Sequence, residues 1–123
     1  MDNFELAKKY FFEGVDYLER GLFQEAEDRF LESLKFVPAR ASTLTNLSAT
    51  QIKLQKYVEA KIAAEQALAL ETNSFEAYLN LGVIAKEEGH LMLANEHFTK
   101  ALNINPAIEN AYLNNGAVFK ELR

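Results

Sequence analysis

Apolar positions along this chain recur with the period of an α-helix. In the first stretch, residues 2–19, they form a wide apolar face interrupted by charged positions. Side chains three and four residues apart lie on one face of a helix, so this pattern predicts an amphipathic helix. Further stretches of this kind follow at about 23–36, 41–54, 57–70, 75–88, 90–103 and 109–122. The sequence therefore predicts an all-α protein of seven helices.

These helices form pairs, and the same residue types return to the same place in each pair every 34 residues. The recurring positions are Gly14, Ser48, Gly82 and Gly116, then Ala26, Ala60 and Ala94, and then Tyr10, Leu44, Tyr78 and Tyr112. A fixed period of this length indicates stacked copies of one supersecondary unit. The copies cover about residues 7–40, 41–74 and 75–108, and a half-copy at 109–123 supplies a trailing helix.

Local signals mark the helix starts. Asp2 followed by Glu5, and Asn73 followed by Glu76, are capping pairs at the beginnings of two predicted helices. In such a pair, a side-chain oxygen accepts a hydrogen bond from a backbone N–H of the first turn. We therefore expect Asp2 and Asn73 to cap the first and fifth helices.

The turns inside the copies differ in one residue. Gly21 and Gly89 stand where a left-handed backbone would end the first helix of a pair, and glycine adopts that conformation at little cost. The second copy has Gln55 at the equivalent position. We therefore expect the turn of the second copy, at Gln55 and Lys56, to be strained or to differ slightly in geometry.

The third copy resembles the tetratricopeptide repeat, position by position. The matching residues are Tyr78, Leu81, Gly82, Ala94, Phe98, Ala101 and Pro106. The second copy departs most, with Ser48 for the glycine, Ala64 for the aromatic residue and Thr72 for the proline. The resemblance implies one domain over residues 1–123, a right-handed α-solenoid of three repeats plus one trailing helix. It also implies a module that binds a protein or peptide in its concave groove, with no enzymatic activity and no cofactor.

Composition and charge exclude several other functions. The formal net charge is −5 and no basic patch appears, which argues against binding to nucleic acid. The longest apolar runs are too short for a transmembrane helix, so we predict no membrane partner. The first residues lack the layout of a secretory signal, and the chain has no cysteine. We therefore predict a cytoplasmic location.

The sequence offers no catalytic or metal-binding constellation. His90 and His97 stand seven residues apart, roughly 10 Å along a helix, which is too far for one shared metal ion. The acidic pair Glu87 and Glu88 is typical of a solvated helix face. We predict neither an active site nor a metal site.

An asparagine recurs on the first helix of successive copies, at Asn46, Asn80 and Asn114. Asparagine is a poor residue for a helix interior, whereas its amide can both donate and accept hydrogen bonds. The row resembles the asparagine ladder in the repeat domain of O-linked N-acetylglucosamine transferase, which implies a grip on a peptide backbone. The alternative is that duplication merely carried a solvated amide along. The first copy departs from the row, with Phe12 at this position.

Other side chains are predicted to face the same groove because they share the helix face of the asparagines. The predicted peptide-binding residues, besides the asparagines, are Phe11, Phe12, Val15, Ala49, Leu79, Val83, Lys53 and Lys86. Two exposed aromatic side chains would favour a partner site. The alternative for Phe11 and Phe12 is that one of them packs inside the N-terminal end of the array.

A second binding mode of the family, the carboxylate clamp, is not predicted. It grips the C-terminal carboxylate of a peptide with lysine, arginine and asparagine side chains. The corresponding positions here are Phe11, Val15, Asn46, Glu76 and Asn80. Only Asn46 fits, and the carboxylate of Glu76 would repel an acidic peptide end.

Two alternatives to a stand-alone adaptor remain open. The chain could be the N-terminal part of a longer protein, as the substrate-recruiting or regulatory arm of an enzyme such as a glycosyltransferase or methyltransferase. Alternatively, the trailing helix at residues 109–123 could make self-association possible and build a scaffold. Tyr112 and Phe119 are the apolar residues on that helix that favour the second alternative.

Overall fold

A computed structural model of the chain describes residues 1–108. Within that range there are six α-helices and no β-strands. The helices are α1 (Asn3–Glu19), α2 (Phe23–Phe36), α3 (Ala41–Lys53), α4 (Tyr57–Leu70), α5 (Phe75–Glu87) and α6 (Leu91–Ile104). The all-α prediction is confirmed, but the count of seven helices is not, since the predicted trailing helix at 109–123 lies outside the described residues.

The helices pack as successive pairs. The most extensive contacts join α1 to α2, α3 to α4, and α5 to α6. Neighbouring pairs then meet through α2 with α3 and through α4 with α5. The first helices of the pairs also contact one another, α1 with α3 and α3 with α5, so they form one continuous layer. This layer carries the candidate site.

Close packing inside a pair depends on a small residue opposite a large one. A Cβ atom added at Gly14 would lie 2.6 Å from the ring of Phe30, and one added at Gly82 would collide in the same way with Phe98. Both rings are fully buried. The absence of a side chain at each glycine therefore lets the ring lie directly on the backbone of the facing helix.

The second pair reaches the same close packing with different residues. Ser48 replaces the glycine and Ala64 replaces the aromatic ring, and both are fully buried. The hydroxyl of Ser48 donates a hydrogen bond of 2.7 Å to the backbone oxygen of Ala60. A buried hydroxyl needs such a partner, and the smaller alanine leaves room for it. The departures of the second copy from the repeat pattern thus compensate each other.

Of the two predicted caps, one is confirmed and one is wrong. Asp2 caps α1, and its Oδ1 accepts a hydrogen bond of 2.8 Å from the backbone N–H of Glu5. Helix α5 is capped by Ser74, whose buried hydroxyl accepts a hydrogen bond of 3.2 Å from the N–H of Ala77. Asn73 lies one residue too early, because the helix begins at Phe75 and the residue directly before it takes the capping place.

Of the two alternatives predicted for the turn of the second copy, the structure shows the strained one. Gln55 has a φ of 61°, and the glycines at the equivalent turns, Gly21 and Gly89, have φ values of 75° and 82°. All three residues therefore adopt the left-handed conformation, in which a Cβ atom is unfavourable. The turn geometry is shared by all the copies, and Gln55 adopts it without the freedom of glycine.

A buried carboxylate joins the first pair to the second. Glu27 on α2 is only 4% exposed. Its oxygens accept hydrogen bonds from Lys56 Nζ at 2.7 Å, from Gln51 Nε2 at 3.1 Å and from Gln24 Nε2 at 3.2 Å. Burial raises the pKa of Glu27, but the hydrogen bonds and the charge of Lys56 outweigh burial and hold the pKa below its ordinary value.

Candidate functional site

A pocket of about 200 Å³ lies between α3 and α5 on the layer of first helices. We call it the groove pocket, and its lining residues are Thr45, Asn46, Ala49, Glu76, Leu79 and Asn80. Four of these side chains, Asn46, Ala49, Leu79 and Asn80, were predicted as binding residues. The structure therefore brings the central part of the predicted site together.

Asn80 connects the two helices that form this pocket. Its side-chain Nδ2 donates a hydrogen bond of 3.0 Å to the backbone oxygen of Thr45 on α3. The residue is half-buried, and the bond joins the third copy to the second. This structural role was not predicted, because the partner lies 35 residues earlier in the chain. Asn80 is thus positioned by the interface, and its side chain is not merely solvated.

Asn46 is held within its own helix. Its Nδ2 donates a hydrogen bond of 2.9 Å to the backbone oxygen of Ser42, one turn earlier on α3. Such a bond from a side chain to the preceding turn gives asparagine a defined place inside a helix despite its low propensity. Among the described residues, neither Asn46 nor Asn80 receives a hydrogen bond at its side-chain Oδ1. Both oxygens therefore remain acceptors at the groove pocket.

The residues predicted on α1 do not line this pocket. Phe11 and Val15 pack against a core that spans the first two copies and includes Ala77 of the third, and the ring centroid of Phe11 lies 6.0 Å from that of Phe30. The ring of Phe12 is 57% exposed. Of the two aromatic residues, Phe11 therefore packs into the array, as one of the predicted alternatives allowed, and Phe12 remains available on the surface.

Phe12 borders a second, larger cavity of about 540 Å³, which is lined by residues of α1 and α2. The other lining residues are Lys9, Glu13, Asp16, Tyr17, Arg20 and Arg29. Arg29 and Glu13 form an ion pair of 3.1 Å, and Arg20 pairs with Asp16 at 3.3 Å. These ion pairs place charged side chains around the exposed ring of Phe12.

The remaining predicted residues lie away from the groove pocket. Val83 packs with Leu79 against a small core that contains Phe98. Lys86 is half-buried and Lys53 is exposed, and neither lines the pocket. Asn114 lies outside the described residues, so the third member of the predicted asparagine row has no described place.

Glu76 supplies the charge of the groove pocket. It is the one charged residue among the described residues that line this pocket. Its side chain is exposed, and its Oε2 lies 3.4 Å from the hydroxyl of Ser74, a long hydrogen bond. The sequence had indicated Glu76 as part of a capping pair with Asn73 and as an obstacle to a carboxylate clamp, but not as a binding residue. Because it lines the same pocket as Asn46 and Asn80, it is a candidate binding residue in its own right.

Comparison with known proteins supports the repeat assignment. The sequence model of the tetratricopeptide repeat family matches residues 75–108. The chain carries a tetratricopeptide repeat. Tetratricopeptide repeat protein 33 from Mus musculus is 31% identical to it over 94 residues, which is 76% of this chain and 36% of the mouse protein. The chain thus spans about a third of the length of this relative.

Solved structures of tetratricopeptide repeat domains superpose closely on this protein. The Arabidopsis OM64 domain gives a TM-score of 0.90 at 21% identity and covers 96% of this chain and 98% of its own. The first domain of Spaghetti (RPAP3), bound to the HSP90 peptide SRMEEVD, gives 0.89 at 21% identity and covers 97% of this chain and 94% of its own. At this identity the likeness shows the fold, a tetratricopeptide repeat α-solenoid.

The described tetratricopeptide repeats hold no group of three or more histidine, aspartate or glutamate side chains placed to bind a metal ion. None of their helices combines the length and the apolar character needed to cross a lipid bilayer. His97 is half-buried beside Tyr78, and burial lowers the pKa of its imidazole. The ring of His97 thus packs as part of the third copy.

Proposed function

We propose that this protein binds an extended peptide segment of a protein partner, with Asn46 and Asn80 holding the peptide backbone. The observation that carries the proposal is the meeting of both amides at one pocket, where each retains its Oδ1 as an acceptor. Each Nδ2 also has a second N–H, since one is already used within the protein. An amide that can donate and accept matches the alternating N–H and C=O groups of a peptide backbone.

The apolar residues of the groove pocket suit the same ligand. Ala49 and Leu79 lie between the polar side chains and are half-buried, which leaves a shallow apolar surface. A peptide side chain placed there would gain from the burial of apolar area, at about 25 cal/mol per Å². The amides then supply orientation and the apolar surface supplies part of the affinity.

One comparison supports this proposal at a coarser level, and a resemblance in the sequence agrees with it. The Spaghetti (RPAP3) domain, which shares the fold, binds an HSP90 peptide. The recurrence of asparagine at Asn46, Asn80 and Asn114 is similar to the ladder in the repeat domain of O-linked N-acetylglucosamine transferase. The proposal extends the contact to Asn114, which lies outside the described residues.

The test is peptide binding by the native chain and by the variant Asn46→Ala/Asn80→Ala. A random peptide library should yield ligands for the native chain. The double variant should bind these ligands at least about tenfold more weakly, because two hydrogen bonds between uncharged groups are lost. The control is Asn103→Ala, which removes an exposed asparagine of α6 and should bind normally. Equal binding by the double variant and the native chain would refute the proposal.

Stability must be measured alongside binding. Asn80→Ala also removes the hydrogen bond to Thr45, and it should cost about 1 kcal/mol in the free energy of unfolding. Asn46→Ala removes only a bond within its own helix and should cost less. The pair of single variants therefore separates a loss of binding from a loss of the interface between repeats.

Other predictions from the sequence concern enzymatic activity, cellular location and self-association. A role as the recruiting arm of a larger enzyme, the absence of enzymatic activity in this chain, and a cytoplasmic location stay predictions. Self-association through residues 109–123 also stays a prediction and concerns residues outside the described range. Measuring the mass of the native chain at increasing concentration tests it, because a scaffold would grow in mass with concentration.

A further inference from the structure

The groove pocket is richer in hydrogen-bond acceptors than in donors. Asn46 and Asn80 each present an Oδ1 that accepts no bond from the described residues. Glu76 adds two carboxylate oxygens, and only one of them has a hydrogen bond, the long one from Ser74. The hydroxyl of Thr45 is occupied as a donor to the backbone oxygen of Ser42 at 3.1 Å. A group that carries several N–H donors would satisfy this arrangement.

The charge of the groove pocket is also one-sided. Among the described residues that line it, Glu76 is acidic and the others are uncharged. Within the described residues, Glu76 takes part in no ion pair, since the acidic members of those pairs are Glu13, Asp16, Glu27, Glu32 and Glu88. A carboxylate that is exposed and without a cation can attract one from a ligand.

We propose that the groove pocket selects a peptide with a lysine or arginine side chain, whose cationic head pairs with Glu76. The ammonium group has three donors and the guanidinium group has five, and neither has an acceptor. Each Oδ1 of Asn46 and Asn80 has two lone pairs, so it can accept one of the remaining donors beside an N–H of the peptide backbone. The aliphatic part of the side chain lies on Ala49 and Leu79, because long basic side chains bury their stems on apolar surface. This inference rests on the proposed function and names its ligand class.

The choice of a basic side chain also follows from the rest of the groove. Lys53 and Lys86 lie on the first helices but do not line the groove pocket. An acidic peptide residue would therefore find its cations elsewhere and would meet Glu76 in the pocket itself. Of the two charge types, only a basic side chain finds an opposite charge in the pocket that both asparagines line.

The experiment uses the full chain and pools of short fluorescent peptides with random flanking residues. The pools differ only at the central residue, which is lysine, arginine, norleucine, citrulline or glutamate. Norleucine keeps the aliphatic stem without the charge, and citrulline keeps the shape of arginine without the charge. We expect the lysine and arginine pools to bind about tenfold more tightly than their neutral counterparts, and the glutamate pool to bind worst.

Two variants locate the preference. Glu76→Gln should remove the preference for basic residues, and Glu76→Lys should reverse it in favour of the glutamate pool. Glu25→Gln is the matched control, since Glu25 is an exposed carboxylate in the first turn of α2, as Glu76 is in α5. Both changes alter the net charge and the helix end equally. A loss of preference in Glu25→Gln equal to that in Glu76→Gln would overturn the inference.

The outcomes separate this inference from the proposed function. If Asn46→Ala/Asn80→Ala weakens every pool while the native chain binds all central residues equally, peptide binding at the asparagines stands and the basic selectivity is wrong. If the double variant binds all pools as the native chain does, the asparagine grip is wrong. If no pool binds the native chain, both are wrong.

Discussion

At the scale of single residues, the close packing of each described helix pair depends on the combined volume of two facing side chains. Glycine faces phenylalanine in the first and third copies, at Gly14 with Phe30 and at Gly82 with Phe98. The second copy has a larger residue on one side, Ser48, and a smaller one, Ala64, on the other. Because protein interiors are close-packed, a change on one side requires a change on the other.

This complementarity predicts a strong coupling between Gly82 and Phe98. Gly82→Ser alone should destabilise the protein by about 1–3 kcal/mol through overpacking, and Phe98→Ala alone by about 3–5 kcal/mol through a cavity. The double variant reproduces the residues of the second copy. It should therefore cost less than the two single changes together, by more than about 0.5 kcal/mol. Urea unfolding of the four proteins measures the coupling, and additive costs would show that the two positions are independent.

At the scale of the helices and turns, the three described copies share one feature. The first helix of each pair is followed by a residue in the left-handed backbone conformation. Gly21, Gln55 and Gly89 hold the same position and the same backbone conformation. A Cβ atom at Gly21 or Gly89 would meet no atom within 4 Å, so space does not limit these positions. The cost of a side chain here therefore comes from the backbone conformation alone.

We predict that Gln55→Gly stabilises the protein by about 1 kcal/mol, because relief of the left-handed strain exceeds the added flexibility of the unfolded chain. Gly89→Gln is the matched reverse change and should destabilise by a similar amount. Thermal and urea unfolding of both variants would test this. If Gln55→Gly proves neutral or destabilising, the side chain of Gln55 must make a contribution that offsets its strain.

The sequence was sufficient to predict the helices and the register of the copies, because duplication repeats the positions of Gly14, Gly82 and Ala94. It was not sufficient to predict contacts between residues that are distant in the chain. The hydrogen bond from Asn80 to Thr45 depends on how two helices of different copies meet. Likewise, a small rotation of α1 decides that Phe11 is partly buried while its neighbour Phe12 is exposed. Local patterns carry no information about such rotations.

The candidate site was predicted only in part, for the same reason. The pattern placed Asn46 and Asn80 on one face of successive first helices, and the structure brings them to one pocket. Whether Phe12 or Lys86 reaches that pocket depends on the curvature of the array, which a helical period does not specify. Glu76 was noted for its charge and for a capping pair, and its place in the lining of the pocket depends on how α3 and α5 meet.

At the scale of the whole molecule, hydrogen bonds from polar side chains connect one copy to the next, in addition to the apolar packing between the copies. Asn80 connects the third copy to the second, and Glu27 connects the first copy to the second. In a repeat array, each copy contacts only its neighbours, so these bonds directly affect how cooperatively the array unfolds. The bonds of Glu27 involve charge, and their contribution must therefore depend on pH.

We predict that Glu27 makes the stability of the protein fall in mild acid. The folded-state pKa of Glu27 is lowered from its ordinary value of 4.5. Its contribution is therefore fully present above pH 4.5 and is lost as the pH falls through the folded-state value. Glu27→Gln should have a lower urea midpoint than the native chain at neutral pH, with a smaller fall over the acidic range. Glu25→Gln, which changes an exposed carboxylate of the same helix, should follow the native pH profile. If Glu27→Gln also follows that profile, the carboxylate between the repeats does not couple folding to pH.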